Sequence, residues 1–273
     1  MFRTRLISGI VLVALAILFI WLGGPVLLAV LCALSLIGEM ELLRIRKLNK
    51  SRLAVVVYLM TVLFYTGFYF LPAARDFFVV VMLSAAFLIL AAVFVFSWNR
   101  YSAQDLMIAV IAFFYVVVLF SFLYRVRDLF RGELLVWLIF LTSWGADTTA
   151  YCAGKLFGKH KMAPVLSPKK TWEGAVGGVV GAAALTALFC FIFRSQLSLG
   201  PVDIVLFAVF GAVASLVSIV GDLFASALKR SYEIKDYGKL IPGHGGVLDR
   251  FDSVLFTAPV IYYAYIVLEL VGG

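Results

Sequence analysis

Apolar runs of 18 or more residues follow one another along nearly the whole chain, and this recurrence decides the fold class. At about 1.5 Å per residue, such a helical run crosses the roughly 30 Å hydrocarbon layer of a bilayer. With 64% hydrophobic and 14% charged residues, the chain does not have the composition of a water-soluble domain. A closed β-barrel would alternate apolar and polar residues, and these segments do not. The expected fold is all-α, a polytopic helical membrane protein. Nine spans are expected, at about 6–22, 25–43, 53–71, 77–97, 106–124, 134–153, 174–193, 202–228 and 253–271. Cys32, Cys152 and Cys190 stand alone inside apolar segments, where they read as small packing residues.

Charge gives the orientation. Arg3 and Arg5 precede the first run, which is longer than a signal-peptide core and lacks a small-residue cleavage site, so it is expected to be retained. Alternating the loops across nine spans puts 18 of the 23 basic residues on the side of the N-terminus. The positive-inside rule makes that side cytoplasmic and puts the C-terminus outside. The spans at 134–153 and 202–228 then both run inward. Asp147 lies roughly 20 Å along the first and Asp222 about 30 Å along the second. Asp249 and Asp252 open the last span from the cytoplasmic side, so four carboxylates from three chain regions are expected at a similar depth.

A carboxylate inside a span costs about 2.5–3.5 kcal/mol on insertion scales, so each needs an ion-pair partner or a function. Lys155 and Lys229 are the obvious partners for Asp147 and Asp222. Asp249 and Asp252, spaced i, i+3, share a helix face and suit Mg²⁺, although acids also simply cap helix N-termini. Before them runs the longest polar stretch of the chain, Ser226–Asp252. It places Lys229, Arg230, Lys235, Lys239 and Arg250 around Pro242-Gly243-His244-Gly245-Gly246. Glycine backbone can approach an anion closely, and the loop enters a helix N-terminus, so phosphate is the expected ligand. His244 can bond a phosphate or act as acid or base; positioning is the favoured reading. The segment Ser167-Pro-Lys-Lys-Thr-Trp-Glu-Gly174 presents Lys169 and Lys170 beside a helix start and reads as a second phosphate-contacting loop. The basic run Arg44–Arg52 reads as a lipid-headgroup contact. No phosphate-loop, dinucleotide, nucleophile-elbow or zinc-protease motif is present.

The pattern Ser226-x-Leu-Lys-Arg-x₄-Lys-Asp-x-Gly-x₂-Ile-Pro-Gly-His-Gly-Gly-Val-x-Asp-Arg-Phe-Asp252 closely resembles the signature of phosphatidate cytidylyltransferases, the CDP-diacylglycerol synthases. Gly145-Ala-Asp-Thr-Thr-Ala-Tyr151, Gly154-Lys-Leu-Phe-Gly-Lys-His160 and the 167–174 segment resemble other blocks of that family. The resemblance covers residues 145–252; the earlier residues agree only in being apolar spans. It implies transfer of CMP from CTP to phosphatidate, giving CDP-diacylglycerol and pyrophosphate, with Mg²⁺ required. It allows a second, monovalent cation such as K⁺. It further implies Asp222 and Asp249 as metal ligands, with Asp252 and Asp147 as further ligands or their holders. Lys229, Arg230 and His244 join the catalytic set. Ser226, Lys169, Lys170, Lys235, Gly245, Gly246 and Arg250 are implied as substrate contacts. Residues 1–133 would form anchoring helices, open to lipid contact or a homodimer interface. Residues 134–273 would be catalytic, with cytoplasmic loops at 154–173 and 229–252. The expected location is a prokaryotic cytoplasmic membrane, with no nucleic-acid partner.

Two other classes of function compete, one enzymatic and one not. A CTP-dependent lipid-alcohol kinase, or a cytidylyltransferase for another lipid phosphate, would share the CTP-handling residues. A transporter would instead place its acids near the midplane of repeated, broken helices, and no repeat is found.

Overall fold

In the computed structural model, residues 2–272 are described; the side chains of residues 1–6 and 271–273, and with them Arg3 and Arg5, lie outside the described set. The chain forms α1 (Phe2–Leu22), α2 (Gly24–Arg44), α3 (Arg52–Phe70), α4 (Arg75–Phe96), α5 (Ala103–Ile111) and α6 (Leu119–Arg127). There follow α7 (Gly132–Phe140), α8 (Ala146–Phe157), β1 (Lys161–Ala163), β2 (Ser167–Thr171), α9 (Trp172–Ile192), α10 (Arg194–Leu197), α11 (Pro201–Ser231) and α12 (Leu248–Gly272). A π-helical segment, Ala112–Val118, joins α5 to α6, and another, Leu141–Gly145, joins α7 to α8. The protein is a helical membrane protein. Seven helical segments among the described residues are long and apolar enough to cross a membrane. Two of the nine expected spans are not among them. The described part of α1, Ile7–Leu22, is too short to be counted, and the 134–153 stretch stays helical through the π-helical turn but turns polar at Thr142, Ser143 and Asp147.

Two compact units share the chain: Met1–Tyr124 with Ile234–Asp249, and Arg125–Glu233 with Arg250–Gly273. In the first, α2, α3, α4 and the α5–α6 helix pack through large side chains. Phe64 is fully buried, stacks on Phe68 at 5.0 Å and meets Phe113 edge-on at 6.0 Å. Two polar pairs lie inside this unit: Thr61 donates to one oxygen of Glu39 at 2.6 Å, and Ser35 bonds the Tyr65 hydroxyl at 2.8 Å.

The second unit is built on small residues instead. The run Gly174-Ala-Val-Gly-Gly-Val-Val-Gly181 lets α9 press against α8. A Cβ at Gly178 would lie 3.0 Å from the Ala150 methyl and 3.2 Å from the Ala146 carbonyl oxygen. Such close backbone approach is how helices associate where lipid removes the hydrophobic drive. At 31 residues α11 is about 46 Å long, more than a bilayer core requires. It therefore continues through Lys229 and Arg230, which were expected to open the loop. The polar loop is shorter than the expected 229–252, because α12 already begins at Leu248.

Candidate active site

Within the second unit, three expected carboxylates come together. Asp147 sits in the first turn of α8, Asp222 on α11 and Asp252 in the first turns of α12. Asp147 interacts electrostatically with Lys170, Asp222 and Arg250, and Asp252 with Asp222, Lys229 and Asp147. Lys170 forms an ion pair with Asp222, a partner the sequence reading did not name. Asp252 is buried and accepts the Ser253 N–H at 2.8 Å. Gly221, the residue before Asp222, has no room for a Cβ: one would press on the Phe256 ring and the Asp252 carbonyl. Trp144 donates its indole N–H to the Arg250 carbonyl at 3.2 Å, tying the π-helical turn to α12.

The 154–173 segment is an ordered hairpin rather than an open loop. β1 and β2 pair antiparallel, with Lys161 opposite Thr171. Thr171 caps α9 by accepting the Gly174 N–H at 3.1 Å. Glu173 reaches back to the Lys159 and His160 N–H groups and to His160 Nδ1 at 2.6 Å. This frame aims Lys170 at Asp222 and leaves Lys169 exposed. Both lysines line a cavity of about 430 Å³, together with Asp147, Lys155, Lys161, Ser215 and Ser218. Four ammonium groups and one carboxylate around a mainly apolar hollow suit an anionic, phosphate-bearing amphiphile.

In the first unit the glycine-rich loop is held by acids. Asp249 Oδ2 accepts the Tyr237 N–H at 2.8 Å and the Gly246 N–H at 3.0 Å. Glu41 of α2 accepts the N–H groups of Val247 and Leu248, both at 3.0 Å. Gly243 and Gly245 take positive φ, 76° and 86°, which lets Ile241 N–H bond the Gly245 carbonyl at 2.8 Å. The Gly246 N–H, expected to face phosphate, bonds the Asp249 carboxylate in this structure. His244 lies against α1, its Nδ1 2.7 Å from the Ser8 hydroxyl, which also donates to the Pro242 carbonyl at 3.0 Å. Arg230 and Lys235 are exposed, and Ser226 and Lys229 are half-buried on α11.

Among the described residues, no three His, Cys, Asp or Glu side chains are grouped so as to hold a metal ion by themselves. The donor chemistry still fits Mg²⁺, which takes one or two carboxylates and completes its shell with water and substrate phosphates. The basic run at Arg44–Arg52 is partly used internally: Arg46 pairs with Asp105 at 2.8 Å and bonds Gln104 and Ser102. Sequence reasoning missed Glu41, Ser215 and Ser218. Each is a polar side chain in an apolar span, the same signal that marked Asp147 and Asp222.

The model of the cytidylyltransferase family matches residues 3–268, nearly the whole chain. A phosphatidate cytidylyltransferase of Bacillus subtilis is 33% identical over 269 residues, covering 96% of this chain and 96% of the relative. One from Haemophilus influenzae is 32% identical over 285 residues, 97% and 99% of the two chains. One from Thermotoga maritima is 39% identical over 160 residues, 58% of each. The match extends into the N-terminal helices, beyond the motifs that carried the resemblance. With the signature of residues 226–252 and this full-length similarity together, the chain belongs to the cytidylyltransferase family.

Proposed function

We propose that this protein transfers CMP from CTP to phosphatidate, forming CDP-diacylglycerol and pyrophosphate for phospholipid synthesis. One observation carries this reading beyond the family: the Asp147, Asp222 and Asp252 cluster, paired to Lys170, adjoins the lysine-lined cavity through residues they share. A phosphatidate oxygen attacks the α-phosphorus of CTP, the bond from that phosphorus to the bridging oxygen breaks, and pyrophosphate leaves. The nucleophile is already anionic, so the protein's task is to align two polyanions and offset their repulsion. Asp222 and Asp249 are the proposed Mg²⁺ ligands, with Asp147 and Asp252 as further ligands or their holders. Bound there, Mg²⁺ supplies Lewis-acid polarisation of the α-phosphate and charge for the leaving group. Lys169, Lys170, Lys229, Lys235, Arg230 and Arg250 bind and orient phosphates. The proposed topology has nine spans, a cytoplasmic N-terminus and an active site facing the cytoplasm of a bacterial cell. CTP then arrives from the aqueous side and phosphatidate from the inner leaflet.

The test is product stoichiometry. Purified protein with CTP, phosphatidate and Mg²⁺ should release one pyrophosphate per CMP-bearing lipid formed. CDP with a newly phosphorylated lipid would identify a kinase instead, and no turnover with any lipid phosphate would remove the assignment.

A further inference from the structure

We propose that Glu41 is a positioning residue that seats the glycine-rich loop and the start of α12, an inference that rests on the CMP-transfer reading above. The residue is 2% exposed, and its carboxylate grips two successive amides, Val247 through Oε1 and Leu248 through Oε2. These are donors at the start of α12, where no intrahelical acceptor is available, and an anion also meets the positive end of the helix dipole. Two glycines make room for this grip. A Cβ on Gly238 or on Gly246 would fall on Glu41 Oε1. An acid on α2, two glycines and two amides remote in sequence therefore fit as one interlocked set.

The set reaches Asp249 through Gly246. The Gly246 N–H bonds Asp249 Oδ2, and the next two N–H groups bond Glu41. Three consecutive amides are thus divided between two carboxylates, and moving one moves the other. Glu41 touches no reacting atom; it acts by fixing where Asp249 points.

Glu41→Gln keeps the side chain's shape but turns one acceptor oxygen into a donor facing an N–H, leaving a buried amide unpaired. The expected result is a kcat about 100-fold lower, the scale of a misplacement far from the chemistry. The KM for CTP should stay within about threefold, since the loss falls on the transition state. Amide hydrogen exchange should speed up at Val247 and Leu248 and remain as in wild type in α8 and α9. Gly246→Ala should reproduce both changes by pushing on the same carboxylate, and should add much less in a Glu41→Ala background, where that space is vacated. Wild-type kcat in Glu41→Gln, wild-type exchange at Val247 and Leu248, or full additivity of Gly246→Ala with Glu41→Ala would overturn the proposal. If Glu41→Gln yields no folded protein, Gly246→Ala carries the kcat and exchange readings. Exchange is read without turnover, so it decides the role of Glu41 even if the wild-type protein fails to transfer CMP.

Discussion

Asp249 and Asp252 stand three residues apart at the start of one helix, yet they are held by different means. Asp249 belongs to the unit with the N-terminal helices, and backbone amides of the glycine-rich loop hold it. Asp252 belongs to the other unit, where it shares a field with Asp222, Asp147 and Lys229. Amides fix a carboxylate's direction without neutralising it; a lysine neutralises it and can be exchanged for another cation. Backbone amides thus mark the surroundings of Asp249, and charged side chains those of Asp222 and Asp252. Substitutions that separate shape from charge should act differently on the two.

The largest effect is expected where charge matters most. Asp222→Asn removes the partner of Lys170 and a proposed metal ligand, and should lower kcat by more than about 100-fold with the fold retained in detergent. Near-normal turnover would take Asp222 out of the machinery. At Asp249 the comparison can be split. Asp249→Asn keeps an acceptor for the Tyr237 and Gly246 amides, so activity should fall as in Asp222→Asn while hydrogen exchange in the loop stays slow. Asp249→Ala should lose both activity and protection, leaving two buried donors at about 1–3 kcal/mol each. Equal exchange in the Asn and Ala variants would show that the amide bonds do not order the loop.

Lys170→Met tests the charge region more gently. It leaves the shape of β2 and uncovers Asp222, with an expected loss of about 10- to 100-fold in activity. Gly178→Val probes the scaffold below the cavity. Crowding the Ala150 contact should cost about 1–3 kcal/mol, read as a lower thermal unfolding midpoint in detergent. Arg46→Ala should do least: its pair with Asp105 is partly exposed, worth about 1 kcal/mol or less, and turnover should not change.

The division between the regions was only half legible in the sequence. The helical membrane fold followed from hydropathy, and the Asp, Lys and Gly residues of 226–252 carried the family. Legibility failed where a polar residue takes a partner remote in sequence. Glu41 lies in an apolar span, but nothing in local spacing says that it reaches Val247 and Leu248. The amide of Gly246 read as free for phosphate because a loop's glycines look the same whether a ligand or a protein acid faces them. Polar composition also hid helix: Lys229 and Arg230 continue α11 because a helix need not end where the hydrocarbon ends. The 161–171 hairpin is too short and too basic for strand periodicity to register.

Asp222 and Asp249 are both proposed as ligands of the divalent cation. Electron paramagnetic resonance of Mn²⁺ in the presence of CTP measures that cation's binding to wild type, Asp222→Asn, Asp249→Asn and Lys170→Met. Binding should weaken about tenfold or more in both aspartate variants and be undiminished in Lys170→Met. Wild-type Mn²⁺ affinity in either aspartate variant would contradict it.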